Sequence, residues 1–254
     1  MATMTTLKAT LFAGPFKDAL KGLEALNEQA VFEFDSTGIT VKCLDNDCTT
    51  VLRVNLTEDL FSEYEYKSST SPTKLGVVLA RIKDITKTLT VKDLLTLEYD
   101  SEQPQFLTIS ANGIRRTVRL VKLDLIKQVK TLPTPSDGWK FSGTLPLKGM
   151  KDFLRTVPDT IMDFSVVATK DTLYLRAMHG EEPIEWSPNV ENWIQETDAV
   201  IQYSLAKVKA ATHAGKKADA SVMGGPDLPL WVEWDQAEGL SFTAVVAPKI
   251  GRND

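Results

Sequence analysis

Short runs in which apolar and polar residues alternate make up most of the chain, and at four places they give way to apolar spacings of three and four. Leu7 to Phe12 alternates as a strand and leads into Pro15 to Leu26, where Phe16, Leu20 and Leu23 fall on one side of a helix. Pro15 stands in the first turn, where a missing N–H is tolerated. Val31 to Phe34 and Ile39 to Leu44 alternate again, and the turn residues Asp35 to Gly38 between them predict a β-hairpin. Strand-like stretches at Thr50 to Leu56 and Ser62 to Ser68 follow, then a second helix over about Lys74 to Thr88 and three further strand candidates ending at Val121. The second half predicts helices at about Pro146 to Val157 and Tyr203 to Ala214. Many short strands with four helices predict an α+β fold, antiparallel sheets with the helices on one face.

The two halves also resemble each other. FKDALK at Phe16 to Lys21 lies 134 positions before MKDFLR at Met150 to Arg155, and at the same offset Gly38 to Asp45 matches Thr172 to His179. LARIK at Leu79 to Lys83 answers LAKVK at Leu205 to Lys209, and LEYD at Leu97 to Asp100 answers VEWD at Val232 to Asp235. Four matches in one order predict a duplication, with small changes of offset absorbed by loops. The expected division is a first domain over 1–123, a connector over 124–138 and a second domain over 139–254. The connector is rich in proline and polar residues toward its end, but Leu125, Ile126, Val129 and Leu132 need apolar surroundings that a plain linker would not provide.

Charge changes this picture. The chain carries a formal net charge of −5, which by itself argues against a polyanionic partner. Yet the windows 15–29, 74–90, 146–157 and 203–217, which contain the four predicted helices, hold thirteen Lys and Arg against five Asp and Glu. Lys17 and Lys21 are four residues apart on one helix face, as are Lys151 and Arg155, and Lys83 and Lys87; Lys207 and Lys209 lie on the fourth helix. Four helices biased alike in an acidic chain point to a surface for duplex phosphates, without base readout and without the interleaved aromatics of single-strand binding.

Little points to catalysis. Cys43 and Cys48 have no zinc-type cluster beside them, and His179 and His213 are the only histidines. No nucleotide-binding loop, metalloprotease motif or nucleophile–base arrangement is present, so neither enzyme activity, nor a metal, nor a cofactor is expected. No apolar run reaches the roughly 20 residues of a membrane span, and Met1 to Thr6 lacks the basic start of a signal peptide, so an intracellular protein without a membrane partner is expected.

Three segments carry a family resemblance. PLWVEW at Pro229 to Trp234 is followed by a strand closing in APKI at Ala247 to Ile250; GITVKCLDND spans Gly38 to Asp47; and LVKLDL at Leu120 to Leu125 leads to Leu132 and Pro133. With these the chain resembles the proliferating cell nuclear antigen family, the DNA sliding clamps of archaea and eukaryotes, along nearly its whole length. The resemblance implies a clamp fold of two similar domains, three subunits in a ring, and helices lining a hole that admits duplex DNA. It implies a processivity factor that tethers DNA polymerase, flap endonuclease and ligase through short peptide motifs and is opened by a clamp loader. The location would be cytoplasmic in an archaeon and nuclear in a eukaryote.

The partner pocket implied by the resemblance comprises Leu44, Cys48, Val129, Leu132, Pro229, Val245, Val246, Ala247 and Pro248. Cys48 stands where the family usually has histidine, and Val245 and Val246 replace aromatic or leucine-rich tail positions. The implied subunit interface joins Arg115, Arg116 and Val118 on a basic edge strand to Pro183, Ile184 and Trp186 on an acidic one. Homotrimer and heterotrimer both fit, as does a specialised subunit of a mixed ring with a checkpoint, repair or transcription role.

Overall fold

The computed structural model describes residues 5–68, 72–129, 132, 138–216 and 218–249. The chain divides into two compact units. The first takes in Met1–Cys48, Leu52–Val129 and Ala237–Phe242, the second Thr49–Val51, Lys130–Gln236 and Thr243–Asp254.

In the first unit β1 (Thr6–Phe12) runs into α1 (Ala13–Leu26), followed by β2 (Gln29–Asp35), β3 (Gly38–Leu44), β4 (Thr50–Thr57), β5 (Phe61–Lys67) and β6 (Thr73–Val78). Then come α2 (Leu79–Thr86), β7 (Leu94–Asp100), β8 (Phe106–Ala111) and β9 (Ile114–Arg119). The strands make a five-stranded sheet in the order β5-β1-β7-β8-β9 and a second set in the order β4-β3-β2-β6. Within this unit, Ala237–Phe242 lies against β4, where Thr57 N donates to Gly239 O at 2.9 Å and Asn55 Nδ2 to Ser241 Oγ at 3.2 Å.

The second unit repeats this order element for element. It runs β10 (Phe141–Pro146), α3 (Leu147–Thr156), β11 (Asp163–Ala168), β12 (Leu173–His179), β13 (Glu182–Trp186), β14 (Glu191–Gln195) and β15 (Ala199–Ser204). Next are α4 (Leu205–Ala211), β16 (Asp219–Gly225), β17 (Leu228–Ala237) and β18 (Leu240–Val246). Its strand orders, β14-β10-β16-β17-β18 and β13-β12-β11-β15, are those of the first unit with each strand advanced by nine. The sequence repeat is therefore a repeat of topology, and the fold is α+β with antiparallel pairing throughout the registered ladders.

The expected second helix over Lys74 to Thr88 is shorter than its pattern. Residues 73–78 form β6, with Leu75 opposite Phe32 and Val77 opposite Ala30. Leu75 and Val77 are buried at strand spacing, and β-branched Val77 and Val78 favour the extended chain. Lys74 thereby leaves the helix and reaches Glu33 at 2.9 Å, while Lys42 reaches the same carboxylate at 2.8 Å.

Burial pushes the Glu33 carboxyl up, but the hydrogen bonds from Lys42 and Lys74 outweigh it and hold the group below its ordinary value. A depressed carboxylate stabilises the fold above its unfolded pKa, about 4.3, and that stability is lost as pH falls through the folded value. Glu33→Gln is expected to cost about 1–2 kcal/mol at pH 7. Parent and variant should converge near pH 3 in urea unfolding, and an equal gap at both pH values would remove the ionised Glu33 from the account.

Candidate functional site

Each unit places its two helices side by side and anchors them in the same way. Neither α1 nor α3 has a side-chain cap; backbone carbonyls take the first N–H groups instead, Asp93 O and Val91 O for Ala13 and Gly14, and Ala218 O for Leu147. The starts of α2 and α4 are held by Glu28 O and Met162 O, residues 134 apart. The apolar faces are buried, through Phe16, Leu20 and Leu23 on α1, Leu79, Ile82 and Ile85 on α2, Met150, Phe153 and Leu154 on α3, and Leu205 and Val208 on α4. The remaining helix surface carries nine Lys and Arg against four Asp and Glu.

The eight cations expected to face DNA do not present themselves alike. Lys17 Nζ donates to Leu89 O at 2.7 Å, just beyond α2. Its counterpart Lys151 donates to His213 O at 2.9 Å and also to Gly215 O, beyond α4. Both lysines are half-buried and tie one helix of a pair to the chain leaving the other. Their placement one turn before Lys21 and Arg155 shows a shared face in the sequence, but the carbonyls that draw them aside come from 62 to 72 residues away.

Lys83 pairs with Glu24 at 2.8 Å, Lys87 with Asp84 at 3.3 Å and Arg155 with Asp152 at 3.1 Å. Lys209 reaches Asp159 at 3.0 Å, and Lys207 donates to the Thr49 hydroxyl. The hydrogen bond from Lys83 to Glu24 raises the lysine's pKa, and hydrogen bonding from Lys148 lowers that of Asp152. Lys21 is exposed and has no ion pair among the described residues. Pairs this exposed are weak and exchangeable, so a polyanion can draw the lysines away from their carboxylates.

The two expected interface segments are sheet edges. Among the described residues β9 pairs only with β8, and β13 only with β12. On β9, Arg115 and Arg116 are exposed and Val118 is buried, with loose intrachain ion pairs of 3.6 Å from Arg115 to Glu98 and from Arg116 to Asp84. Arg81 on α2 donates to Arg119 O at 2.8 Å and holds the end of this strand. On β13, Pro183 is exposed and Ile184 half-buried, whereas Trp186 turns inward onto α3: a Cβ at Gly149 would lie 2.5 Å from its ring, so only glycine admits the indole there. Glu181 and Glu182 are exposed, and Glu185 pairs with Arg176.

The residues of the expected partner pocket fall in both units, and each is described where it lies. In the first, Leu44 ends β3 half-buried, Val129 is half-buried, and Cys48 is exposed in a left-handed turn with φ of 61°. Cys43, by contrast, is buried, and burial together with the Asp45 charge pushes its thiol up to about 12, so it is an inert core residue. In the second unit Leu132, Pro229, Ala247 and Pro248 are half-buried. Val245 and Val246 are core residues, 6% and 1% exposed, so the apolar surface left for a partner at the tail is that of Ala247 and Pro248. Ala247 N donates to Thr49 O and Lys249 N to Gln202 O, both at 2.8 Å, which fixes the extended tail from either side. Pro133 and Ile250 lie outside the described residues.

Among the described residues no three His, Cys, Asp or Glu side chains could hold a metal ion. What the arrangement offers is surface: cationic helices, open sheet edges of opposite charge and half-buried apolar positions beside a connector.

These features define a duplicated clamp-type protein. The family signature "Proliferating cell nuclear antigen, N-terminal domain" matches residues 7–130. A DNA polymerase sliding clamp of Thermococcus kodakarensis is 26% identical over 245 residues, 94% of this chain and 96% of the relative. One from Natronomonas pharaonis is also 26% identical, over 96% of this chain and 98% of its own. The PCNA of A. fulgidus, solved with the C-terminal region of FEN-1 bound, superposes with a TM-score of 0.84 at 17% identity, covering 97% of this chain and all of that one. PCNA from Entamoeba histolytica superposes with a TM-score of 0.80, also at 17% identity, over 96% and 99%. Residues 7–130 carry the proliferating cell nuclear antigen N-terminal domain, and nearly the whole chain is similar to DNA polymerase sliding clamps.

Proposed function

We propose that this protein is a DNA polymerase processivity factor, a non-enzymatic clamp whose copies close into a trimeric ring around duplex DNA and tether polymerases and other replication and repair proteins. The observation that carries this reading is the repeated architecture with its two open edges. In the nine-strand repeat, β9 and β18 are equivalent, and so are β4 and β13. The start of β18 already lies along β4, a ninth strand beside a fourth. β9 and β13 are the ninth and fourth strands left over, one bearing Arg115, Arg116 and Arg119 and the other Glu182 and Glu185. A second copy supplies each with its missing neighbour, and a head-to-tail contact of this kind closes into a ring.

The helices support the DNA part of the reading. Cations that are loosely paired and spread over both units attract phosphate without holding one register, as sliding requires. The relative from A. fulgidus binds the C-terminal region of FEN-1, and a peptide of that kind is the expected partner here, as are segments of polymerase, ligase and clamp loader.

Retention on DNA tests the reading. Protein assembled on a closed circular duplex should stay bound in high salt and be released once the circle is cut, and equal release from circular and linear DNA would refute encirclement. A native mass of one subunit, in place of three times 28.1 kDa, would instead favour a specialised subunit awaiting sister chains.

Lys21→Ala should reduce the dependence of DNA affinity on salt by roughly one unit of slope for each phosphate that the lysine neutralises. Lys17→Met should leave that slope near the parent's and lower the melting temperature by about 2–4 °C per kcal/mol of weakened helix tethering. A parent-like slope for Lys21→Ala would take that residue off the DNA-facing surface.

A further inference from the structure

The tail after β18 ends its described course in a double attachment to β11 and β15. Lys249 N donates to Gln202 O at 2.8 Å, and Lys249 Nζ forms an ion pair with Asp163 Oδ2. Asp163 opens β11 and lies opposite Ser204, while Ser165 lies opposite Gln202, so one corner of the sheet holds both the main chain and the side chain of Lys249. Asp163 and Gln202 also line a cavity of about 430 Å³, so the tail is fastened at the rim of open space.

The internal repeat shows what the fold requires of this corner. In the first unit Gln29 opens β2 opposite Val78, as Asp163 opens β11 opposite Ser204. The chain leaving β9 makes the same backbone bond as the tail, from Val121 N to Gly76 O at 2.8 Å. Where the second unit has Asp163 and Lys249, the first has Gln29 and Val121, which cannot form an ion pair. The repeated sheet is therefore built without this pair, and the pair in the second unit serves something beyond closing the sheet.

Its chemistry suits a fixed attachment. The Asp163 side chain is 30% exposed, and its Oδ1 is buried and accepts no hydrogen bond among the described residues. A carboxylate so enclosed leans on the one ammonium beside it more than a fully solvated one does. The attachment lies next to Ala247 and Pro248, the tail residues that keep apolar surface for a partner. Pro248 has no N–H of its own, so its place depends on the bonds of its two neighbours. Holding such a segment in one conformation before a peptide arrives removes an ordering cost from binding.

We infer that Asp163 is a positioning residue for partner docking: through Lys249 it keeps the tail in the extended form in which Ala247 and Pro248 meet an incoming peptide, without touching the peptide itself. This rests on the tethering reading above and adds a residue outside the apolar pocket to what sets partner affinity.

Calorimetry tests it, with a synthetic peptide of the C-terminal region of FEN-1, the segment that the A. fulgidus relative binds. Asp163→Asn keeps the side chain's shape, removes its charge and should weaken binding about fivefold; Lys249→Gln should weaken it equally. The double variant should bind no worse than either single one, because both remove the same contact. Hydrogen exchange separates this local release from a general loss of stability. In Asp163→Asn the Lys249 amide should exchange several-fold faster, while the Val166 amide inside β11 stays as protected as in the parent. Lys249 is exposed, so Lys249→Gln tests the attachment even if Asp163→Asn alters folding. Parent-like affinity in the single variants, or losses that add in the double variant, would overturn the role of Asp163 alone. Failure of the parent to bind the peptide would overturn the tethering reading with it.

Discussion

Replacing Arg115 and Arg116 together with glutamate is expected to turn a trimeric assembly into monomers at micromolar concentration. Both side chains project from β9, whose outer edge is open, and their ion pairs to Glu98 and Asp84 are exposed and 3.6 Å long, too weak to hold them against a better partner. In the proposed ring they meet β13 with Glu181 and Glu182. Reversal places like charges opposite one another, at a cost of several kcal/mol per interface, or a loss of at least about a hundredfold in association. Pairing the reversed chain with one carrying Glu181→Arg and Glu182→Arg should restore assembly, but only as a mixed species. Analytical ultracentrifugation of each chain and of the mixture reads this directly. A trimer that persists in the Arg-to-Glu variant at nanomolar concentration would place the interface elsewhere, and unchanged melting of the monomers would show that the fold was not the cause.

The same edges show what the sequence makes plain and what it withholds. The repeat is visible as matched segments because the apolar spacing of α1 and α3, or of β3 and β12, is fixed by what each must bury. The strand order does not follow from that repeat, because it is set by which strands pair, and the two edge segments are named in the sequence only through the family resemblance. The boundary between β6 and α2 is hidden because Leu75 and Val77 continue into Leu79 and Ile82 without a break in apolar pattern; only the pairing of β6 with β2 decides it. Lys17 and Lys21 look alike in the sequence, and what separates them is a carbonyl at Leu89. Periodicity reports which side of an element is buried, whereas the partner of a long polar side chain is set by tertiary packing.

Replacing Val246 with aspartate is expected to unfold the end of β18, while the same change at Pro248 should weaken partner binding and spare the fold. The two residues stand two apart in the tail and the family resemblance places both in one pocket, yet their surroundings differ. From Phe242 to Val246 every residue is buried, which in a strand means that both faces are covered. A carboxylate at Val246 would enter that core without a partner, costing about 4 kcal/mol or more, enough to lower the melting temperature sharply. Pro248 is half-buried in the extended tail, held between the backbone hydrogen bonds of Ala247 and Lys249, and has no N–H to lose. A charge there keeps those bonds and removes apolar surface only from an incoming peptide, a loss of tenfold or more if the position is an anchor contact, by the usual size of such effects of about 2 kcal/mol. Thermal melts together with calorimetry on an anchored peptide separate the two. A Val246→Asp chain that melts like the parent would mean that the tail strand is not core, and parent-like affinity in Pro248→Asp would take the tail out of the binding site. The loss of binding that Val246→Asp would also show is no evidence for a contact, because a peptide cannot dock on a tail that has come away from its sheet.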